Sequence, residues 1–144
     1  MASWADFEAE APELAARVRD RLGAHKHLTI ATLRRDGSPR ISGTEVEFRD
    51  GDLWIGSGWD ALKSLDLLRD PRFALHSGSD EPDDWKGDAK IAGVAKESGG
   101  EDGKARYFRL EVEEVSTVGL DDARTHLVIH VWTPDGGVRA LKRY

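Results

Sequence analysis

The sequence predicts a mainly β protein, a closed or partly closed antiparallel β-barrel with flanking helices. Two observations favour this fold class. Seven or eight short runs have the period-two alternation or β-branched content of strands, and tight turns rich in Gly, Asp and Pro separate most of them. The chain has 144 residues without an internal repeat or a linker, so we expect residues 1–144 to form a single domain.

The first segment predicts one amphipathic helix. Ser3 begins a Ser-Trp-Ala-Asp sequence, which is a variant of the capping box. Apolar residues then recur every three or four positions, at Phe7, Ala11, Leu14, Val18 and Leu22. This helix should end near Gly23 and pack against the barrel.

Strands and turns alternate through the rest of the chain. An antiparallel meander of three strands is predicted first, at 27–33, 40–48 and 53–55. After a short helix, further strands are expected at 72–77, 89–96, 107–118, 126–133 and 138–141, with a hairpin tip at 97–104. Gly93 lies inside one of these strands and indicates a β-bulge or a close approach of two backbones.

Composition excludes several classes of function. The formal net charge is −6 and no basic stripe stands out, which argues against nonspecific nucleic-acid binding. No apolar run reaches membrane-spanning length and the N-terminus is acidic, so we expect a cytoplasmic protein without a membrane segment. The chain has no cysteine, which excludes disulfides and thiolate chemistry.

The stretch from Asp52 to Pro71 carries the main functional signal. A strand runs into Gly56-Ser57-Gly58, and a helix with apolar positions Leu62, Leu65 and Leu68 follows, with Asp60 as its expected N-cap. Free amides in a Gly/Ser loop that leads into a helix can bind a phosphate. Lys63 falls in the first turn, where the helix dipole disfavours a cation unless an anion lies nearby. Either a phosphate-bearing ligand contacts Ser57 and Lys63, or Lys63 is a solvated surface lysine.

The second predicted strand has a polar end. Arg40, Ser42 and Thr44 share one face of it with Val46 and Phe48. A polar end on an otherwise apolar face is typical of a ligand-binding mouth. The alternative is that Arg40 lies near a solvent-exposed strand end.

The histidines predict neither a metal site nor a hydrolase. His126 and His130 lie on a predicted strand, where four residues separate them by about 13 Å, too far for one metal ion. His76 alternates with Phe73 and Leu75, so it faces away from them as a satisfied polar residue. No nucleophile motif, Walker loop or Rossmann fingerprint occurs.

The ordered combination of motifs resembles the pyridoxamine 5'-phosphate oxidase-like superfamily. The matching pieces are HLTIATLRRDGSPRISG, the Gly/Ser loop, ALKSLDLLRDPRFAL and GDAKIAGVA, which together cover about residues 20–96. The ending LVIHVWTPDGGVRALKR is similar to small actinobacterial-type members. The resemblance implies a split β-barrel that binds FMN at a homodimer interface and acts as an oxidoreductase on a small molecule.

The resemblance also implies site residues. The second strand would contact the flavin phosphate and ring edge through Arg40, Ile41, Ser42 and Gly43. The third strand and its loop would line the ring and ribityl chain through Ile55, Gly56 and Ser57, and Lys63 would bind the phosphate. Trp132 and Arg139 would complete the site of the second chain. No catalytic side chain is assigned, because the cofactor would carry the chemistry.

Several alternatives stay open. A deazaflavin coenzyme has a longer acidic tail, for which Arg34, Arg35 and Lys86 could supply charge, and would make the protein a reductase. A non-enzymatic flavin- or haem-binding protein would use His76 or His130 as the haem ligand. A barrel without a cofactor would act only through its dimer contacts. The chain lacks a clear C-terminal arginine cluster for a substrate phosphate, so oxidation of vitamin B6 is not expected.

Overall fold

The barrel is built from antiparallel strands. The computed structural model describes residues 1–100 and 103–144, so the predicted hairpin tip lies partly outside the described residues. The described part contains nine strands: β1 Leu28–Leu33, β2 Pro39–Thr44, β3 Val46–Arg49, β4 Asp52–Gly58, β5 Arg72–His76, β6 Asp88–Glu97, β7 Ala105–Leu120, β8 Leu127–Thr133 and β9 Gly137–Arg143. The predicted fold class, a split antiparallel β-barrel with flanking helices, is confirmed.

The strands form one sheet. Its two end strands, β2 and β3, follow each other directly in the chain. Its order is β2-β1-β5-β6-β7-β4-β3, and β8 and β9 extend from β7. The predicted strand 40–48 is therefore wrong as a single element. It breaks at Glu45 because its first half pairs with β1 and its second half pairs with β4. This link between the end strands of the sheet is what rolls it into a split barrel.

The N-terminal segment forms two helices, α1 Trp4–Glu10 and α2 Pro12–Gly23, instead of the predicted single helix. Ser3 and Asp6 form the complete capping box at the start of α1. The break follows from Pro12, which has no N–H and disfavours helical geometry at the residue before it; Ala11 has φ −133° and ψ 65°. In the described part of the chain, no helix is long and apolar enough to span a membrane.

The N-terminal helices close the barrel through aromatic packing. The ring centroids of Phe7 and Trp132 are 4.8 Å apart, and those of Trp4 and Phe7 are 5.1 Å apart. All three side chains are at most 1% exposed. Since burying a large apolar side chain contributes roughly 1.5–3 kcal/mol, these contacts hold α1 against the barrel and β8.

The short helix α3, Leu62–Arg69, begins later than predicted. Asp60 is exposed and belongs to a turn in which the Ala61 N–H donates to the Gly58 carbonyl at 3.1 Å. The N-cap is therefore Ala61, whose methyl group accepts no hydrogen bond. The Ser64 hydroxyl donates to the same Gly58 carbonyl at 2.9 Å, which ties the first turn of α3 to the end of β4.

Gly93 lies at a β-bulge, as predicted. The register between β6 and β7 shifts between Ala92 and Gly93. A Cβ atom at Gly93 would overlap the carbonyl oxygen of Glu111 on β7. Because that oxygen belongs to the backbone of a central strand, no side-chain rotation can relieve the overlap.

We expect Gly93→Ala to lower the free energy of unfolding by about 2 kcal/mol, since overpacking in a well-packed site costs roughly 1–3 kcal/mol. Urea denaturation measures the change. Gly23→Ala is the matched control, because a Cβ atom at Gly23 meets nothing within 4 Å. Equal stability of the two variants would contradict the backbone overlap.

Candidate functional site

The junction between β4 and α3 has the features of an anion site. The Ser57 hydroxyl is buried and has no hydrogen-bond partner among the described residues, and no side chain caps the first amides of α3. Lys63 is half-buried, and its ammonium donates to the Gly43 carbonyl of β2 at 2.7 Å. Burial lowers the pKa of Lys63. A free hydroxyl, free amides and a desolvated ammonium all favour a negative group, so these residues fit a phosphate.

Arg40 is positioned beside this junction by Asp66. The Arg40 Nε atom donates to Asp66 Oδ2 at 2.8 Å, and the Thr32 hydroxyl donates to the same oxygen at 2.8 Å. Arg69 donates to the other carboxylate oxygen at 3.0 Å. Burial raises the pKa of Asp66, but these hydrogen bonds and the charge of Arg40 outweigh it, so the pKa lies below the ordinary aspartate value. The Nη groups of Arg40 have no partner in the described structure and can bind an anion.

Arg40 also lines a cationic cleft of about 480 Å³. Its walls contain four arginines, two aspartates and two leucines: Arg34, Arg35, Arg40, Arg69, Asp36, Asp66, Leu62 and Leu65. Of the basic residues considered for an acidic cofactor tail, Arg34 and Arg35 lie here, whereas Lys86 lines a different cavity. The positively charged surface at Arg40 therefore continues to Arg34 and Arg35, and it is larger than one phosphate group would need.

The opposite face of β2 borders a groove of about 350 Å³. Ala31, Ala74 and Ala92 pair side by side on β1, β5 and β6 and form its floor, and Ile41 lines its edge with its side chain exposed. Thr29, the pairing partner of Gly43, lines the same groove. Small side chains on adjacent strands leave a flat apolar floor that a planar ring can cover.

The other predicted site residues on β2 and β4 differ in accessibility. Ser42 is half-buried on the Arg40 face of β2, and Ile55 is 1% exposed in the core. Gly56 lies on the other face of β4 from Ser57, and the ring of Tyr107 lies over it.

The two residues expected to complete a partner's site differ in accessibility. Trp132 is fully buried against Phe7, so its side chain does not reach the surface of this chain. Arg139 is exposed on β9. That strand pairs with β8, which joins β7 at the end away from β4. Within one chain, Arg139 therefore lies away from Ser57.

The helix α3 buries a different face from the one that its leucines indicated. Leu62, Leu65 and Leu68 are 58%, 39% and 45% exposed. The buried residues of α3 are Ser64, Asp66 and Leu67. Asp66 is the site residue that the sequence analysis missed. In the sequence, Asp66 could be noticed only as a carboxylate on the same helix as Lys63. Its partners Thr32 and Arg40 lie on β1 and β2, and only the folded chain brings them to it.

The structure has the fold of pyridoxamine 5'-phosphate oxidase-related split barrels, which confirms the resemblance found in the sequence. No family model matches the chain, and no curated protein matches it. Solved structures do match. A pyridoxamine 5'-phosphate oxidase-related, FMN-binding protein from Nostoc punctiforme superposes with a TM-score of 0.64 at 10% identity, over 96% of this chain and 97% of its own.

Two further solved structures with this fold come from proteins described in other terms. PhzG from Burkholderia lata, in complex with tetrahydrophenazine-1-carboxylic acid, has a TM-score of 0.64 at 14% identity, over 92% of this chain and 86% of its own. A haem-binding protein from Mycobacterium smegmatis has a TM-score of 0.58 at 19% identity, over 88% of this chain and 57% of its own. Identities this low show the shared fold alone.

Proposed function

We propose that this protein is a cytoplasmic, homodimeric, FMN-dependent oxidoreductase that acts on a small molecule. The observation that supports this most is the half-buried Lys63 in the uncapped first turn of α3, together with the buried Ser57 hydroxyl near the end of the preceding strand β4, which lacks a partner in the described structure. A phosphate at this position would accept hydrogen bonds from both side chains. When bound, FMN supplies hydride or two-electron transfer.

The chain's own residues bind and orient the cofactor in this proposal. Lys63 and the first amides of α3 hold the phosphate, and Arg40 adds guanidinium N–H groups whose direction Asp66 fixes. The alanine floor supports the ring, and Ile41 at its edge excludes water. No side-chain acid or base is required for the proposed electron transfer.

The apolar surface next to the alanine floor supports the dimer. Ile41, at the edge of this floor, is 73% exposed; Leu62, which lines the cationic cleft on the Arg40 side of β2, is 58% exposed. Exposed apolar groups of this kind, beside a groove lined by small residues, favour an interface with another protein surface. We commit to a second copy of this chain, because a twofold interface buries the same patch twice and closes on itself. Arg139 on the exposed β9 would be free to reach the partner's site.

We expect Ile41→Asp to convert the dimer into a monomer, because the interface would then bury an unpaired carboxylate. Multi-angle light scattering at micromolar concentration gives the oligomeric state. Ala123→Asp, which adds the same charge at an exposed loop position, should remain dimeric. A monomeric parent protein would contradict the proposed interface.

Titration of the purified protein with FMN, followed by quenching of flavin fluorescence, tests the cofactor. Saturable binding supports the proposal, and reduction of the bound flavin by a nicotinamide donor would then establish oxidoreductase chemistry. If the deazaflavin coenzyme binds and FMN does not, the FMN assignment is wrong. If neither binds, the anion-site interpretation of Ser57 and Lys63 is wrong as well.

A deazaflavin-dependent reductase is the second candidate, and the cationic cleft favours it. Arg34 and Arg35 extend the positive surface from Arg40, where a longer acidic tail would need it. The distinguishing variant is Arg35→Gln, since Arg35 has no hydrogen bond or ion pair among the described residues. It should weaken deazaflavin binding and leave FMN binding unchanged.

A haem-binding protein is the third candidate, and the position of His76 favours it. The predicted satisfied polar role of His76 is confirmed, because its Nδ1 atom lies 2.6 Å from the Ser77 carbonyl oxygen. A carbonyl only accepts, so Nδ1 carries the proton. Nε2 lies 3.9 Å from Asp88 Oδ2, on a residue that lines the alanine groove. A Soret band on haem addition that His76→Ala removes would support this candidate.

A further inference from the structure

A second groove runs along α2, away from the proposed FMN site. Two cavities of about 400 Å³ and 360 Å³ both have Arg17 and His130 in their walls. The two cavities adjoin at Arg17 and His130, between α2 and the β7 and β8 strands, and we call them together the α2 groove. Neither Ser57 nor Lys63 lines it, and the proposed function assigns it no role.

Two basic side chains share the middle of the α2 groove without a counter-ion. Arg17 projects from α2 and His130 from β8. Neither side chain has a hydrogen bond or an ion pair within residues 1–100 and 103–144. Burial lowers the pKa of His130, and the charge of Arg17 lowers it further. An anion bound between them would remove this repulsion and favour the imidazolium.

The walls beside Arg17 and His130 are largely apolar. Ala16 contributes from α2, Val128 from β8, and Val118 and Leu120 from β7. A bare inorganic anion would leave these surfaces in contact with water. A ligand with both a negative group and an apolar body would cover them and remove this apolar surface from water.

The acidic residues of the groove are Asp20, Asp88 and Glu13. Asp20 pairs with Arg21 at 3.1 Å, and Asp88 accepts a hydrogen bond from the Trp85 ring N–H at 3.1 Å. Glu13 lies one helical turn before Arg17, lines the second cavity with Arg17, His130 and Val138, and would repel an anion on its own side of Arg17. The ligand's negative group is therefore favoured between Arg17 and His130 rather than beside Glu13.

We propose that the α2 groove binds a small monocarboxylate with an apolar body, whose carboxylate lies between Arg17 and His130. The guanidinium of Arg17 donates two N–H groups, and protonated His130 donates a third. The apolar body lies against Val128 and Leu120. The site is independent of the FMN proposal, because it shares no residue with the β4–α3 junction.

Hexanoate titration of the isotope-labelled full chain, followed by NMR, tests this site. Saturable shifts are expected at the His130 ring and the Val128 methyl groups. Arg17→Gln should weaken hexanoate binding about tenfold, the effect of losing a charge-assisted hydrogen bond. Lys26→Gln, which removes a charge from an exposed lysine elsewhere, should bind hexanoate like the parent protein. Both replaced side chains are exposed, so both variants should fold.

Two further probes decide which part of the proposal holds. Hexanamide has the same body without the charge and should bind much more weakly; equal binding of the two probes would overturn the anion site. Inorganic phosphate that shifts the same resonances as tightly as hexanoate would overturn the apolar part. Unchanged hexanoate affinity in Arg17→Gln would overturn the whole assignment.

The pH dependence gives an independent check. The titratable or charged groups that face the groove from the elements around it are Glu13, Arg17, Asp20, Arg21, Lys86 and Asp88. Among these and His130, only the imidazole ordinarily changes charge between about pH 5.5 and 8. Hexanoate affinity should therefore fall as the pH rises through the His130 transition. Affinity that does not change over this range would contradict the His130 contact.

Discussion

Lys63→Ala is expected to weaken FMN binding by about 1–3 kcal/mol, which is roughly 5- to 150-fold, with little loss of stability. The ammonium of Lys63 is half-buried, and its one hydrogen bond in the described structure goes to the Gly43 carbonyl at 2.7 Å. In the free protein, Lys63→Ala removes one hydrogen bond to a backbone carbonyl, which water can replace. In the complex, it removes a charge-assisted hydrogen bond to the phosphate. Flavin fluorescence titration measures the affinity, and thermal melting measures the stability.

The matched control is Lys96→Ala, which removes an exposed lysine of β6 from the edge of the same barrel. It should bind FMN like the parent protein. If Lys63→Ala binds FMN as tightly as Lys96→Ala, the anchoring role of Lys63 is wrong.

Arg40→Ala should also lose affinity, but its melting temperature should fall too, because it leaves the buried Asp66 carboxylate without one of its partners.

Ser57→Ala separates binding from structure in the same titration. The Ser57 hydroxyl is buried without a described partner, so its removal should leave the free protein equally stable or slightly more stable. The same change should weaken FMN binding, because the phosphate loses a donor. A structural role for the hydroxyl predicts the opposite result, a destabilised protein with unchanged FMN affinity.

The features that the sequence predicted correctly are those that neighbouring residues determine, such as strand positions and the β-bulge. Strand alternation and tight turns depend on neighbouring residues, so most strands were located to within a few positions. The bulge at Gly93 was predictable because an isolated glycine inside a strand pattern has few structural explanations. The Gly/Ser segment before α3 was predicted as a loop, and this is wrong, because β4 continues through Gly58 and pairs with β7 there. The roles of Ser57 and Lys63 as phosphate ligands stay predictions.

The features that the sequence did not predict depend on contacts between residues that are far apart in the chain. The alternation of 40–48 continues through Glu45, and only the competing pairing with β1 and β4 splits it into two strands. The three leucines of α3 formed an apolar stripe, yet the helix buries Asp66. Its partners Thr32 and Arg40 lie 34 and 26 residues earlier in the chain. The resemblance gave Trp132 a role in a partner's site, whereas the structure packs it against Phe7, 125 residues earlier in the chain, a contact that the local sequence does not indicate.

Asp66→Ala should have the largest effect on stability, a loss of about 3–5 kcal/mol in the free energy of unfolding. The Asp66 side chain is 4% exposed and binds Arg40, Arg69 and Thr32. Its removal leaves two guanidinium groups at the edge of the core without their carboxylate. For a chain of this length the melting temperature should fall by about 10 °C or more, measured by calorimetry.

The control and the pH dependence identify the cause of this loss. Asp70→Ala removes a carboxylate at the end of α3 that pairs with the exposed Arg72, and should cost much less. Because the pKa of Asp66 is lowered in the folded protein, its contribution is fully present above the ordinary aspartate value, about 3.9. The contribution is lost as the pH falls through the lower folded value. The stability difference between the parent protein and Asp66→Ala should therefore shrink below about pH 4. A difference that stays constant down to pH 2 would mean that lost packing, rather than the ionised carboxylate, causes the destabilisation.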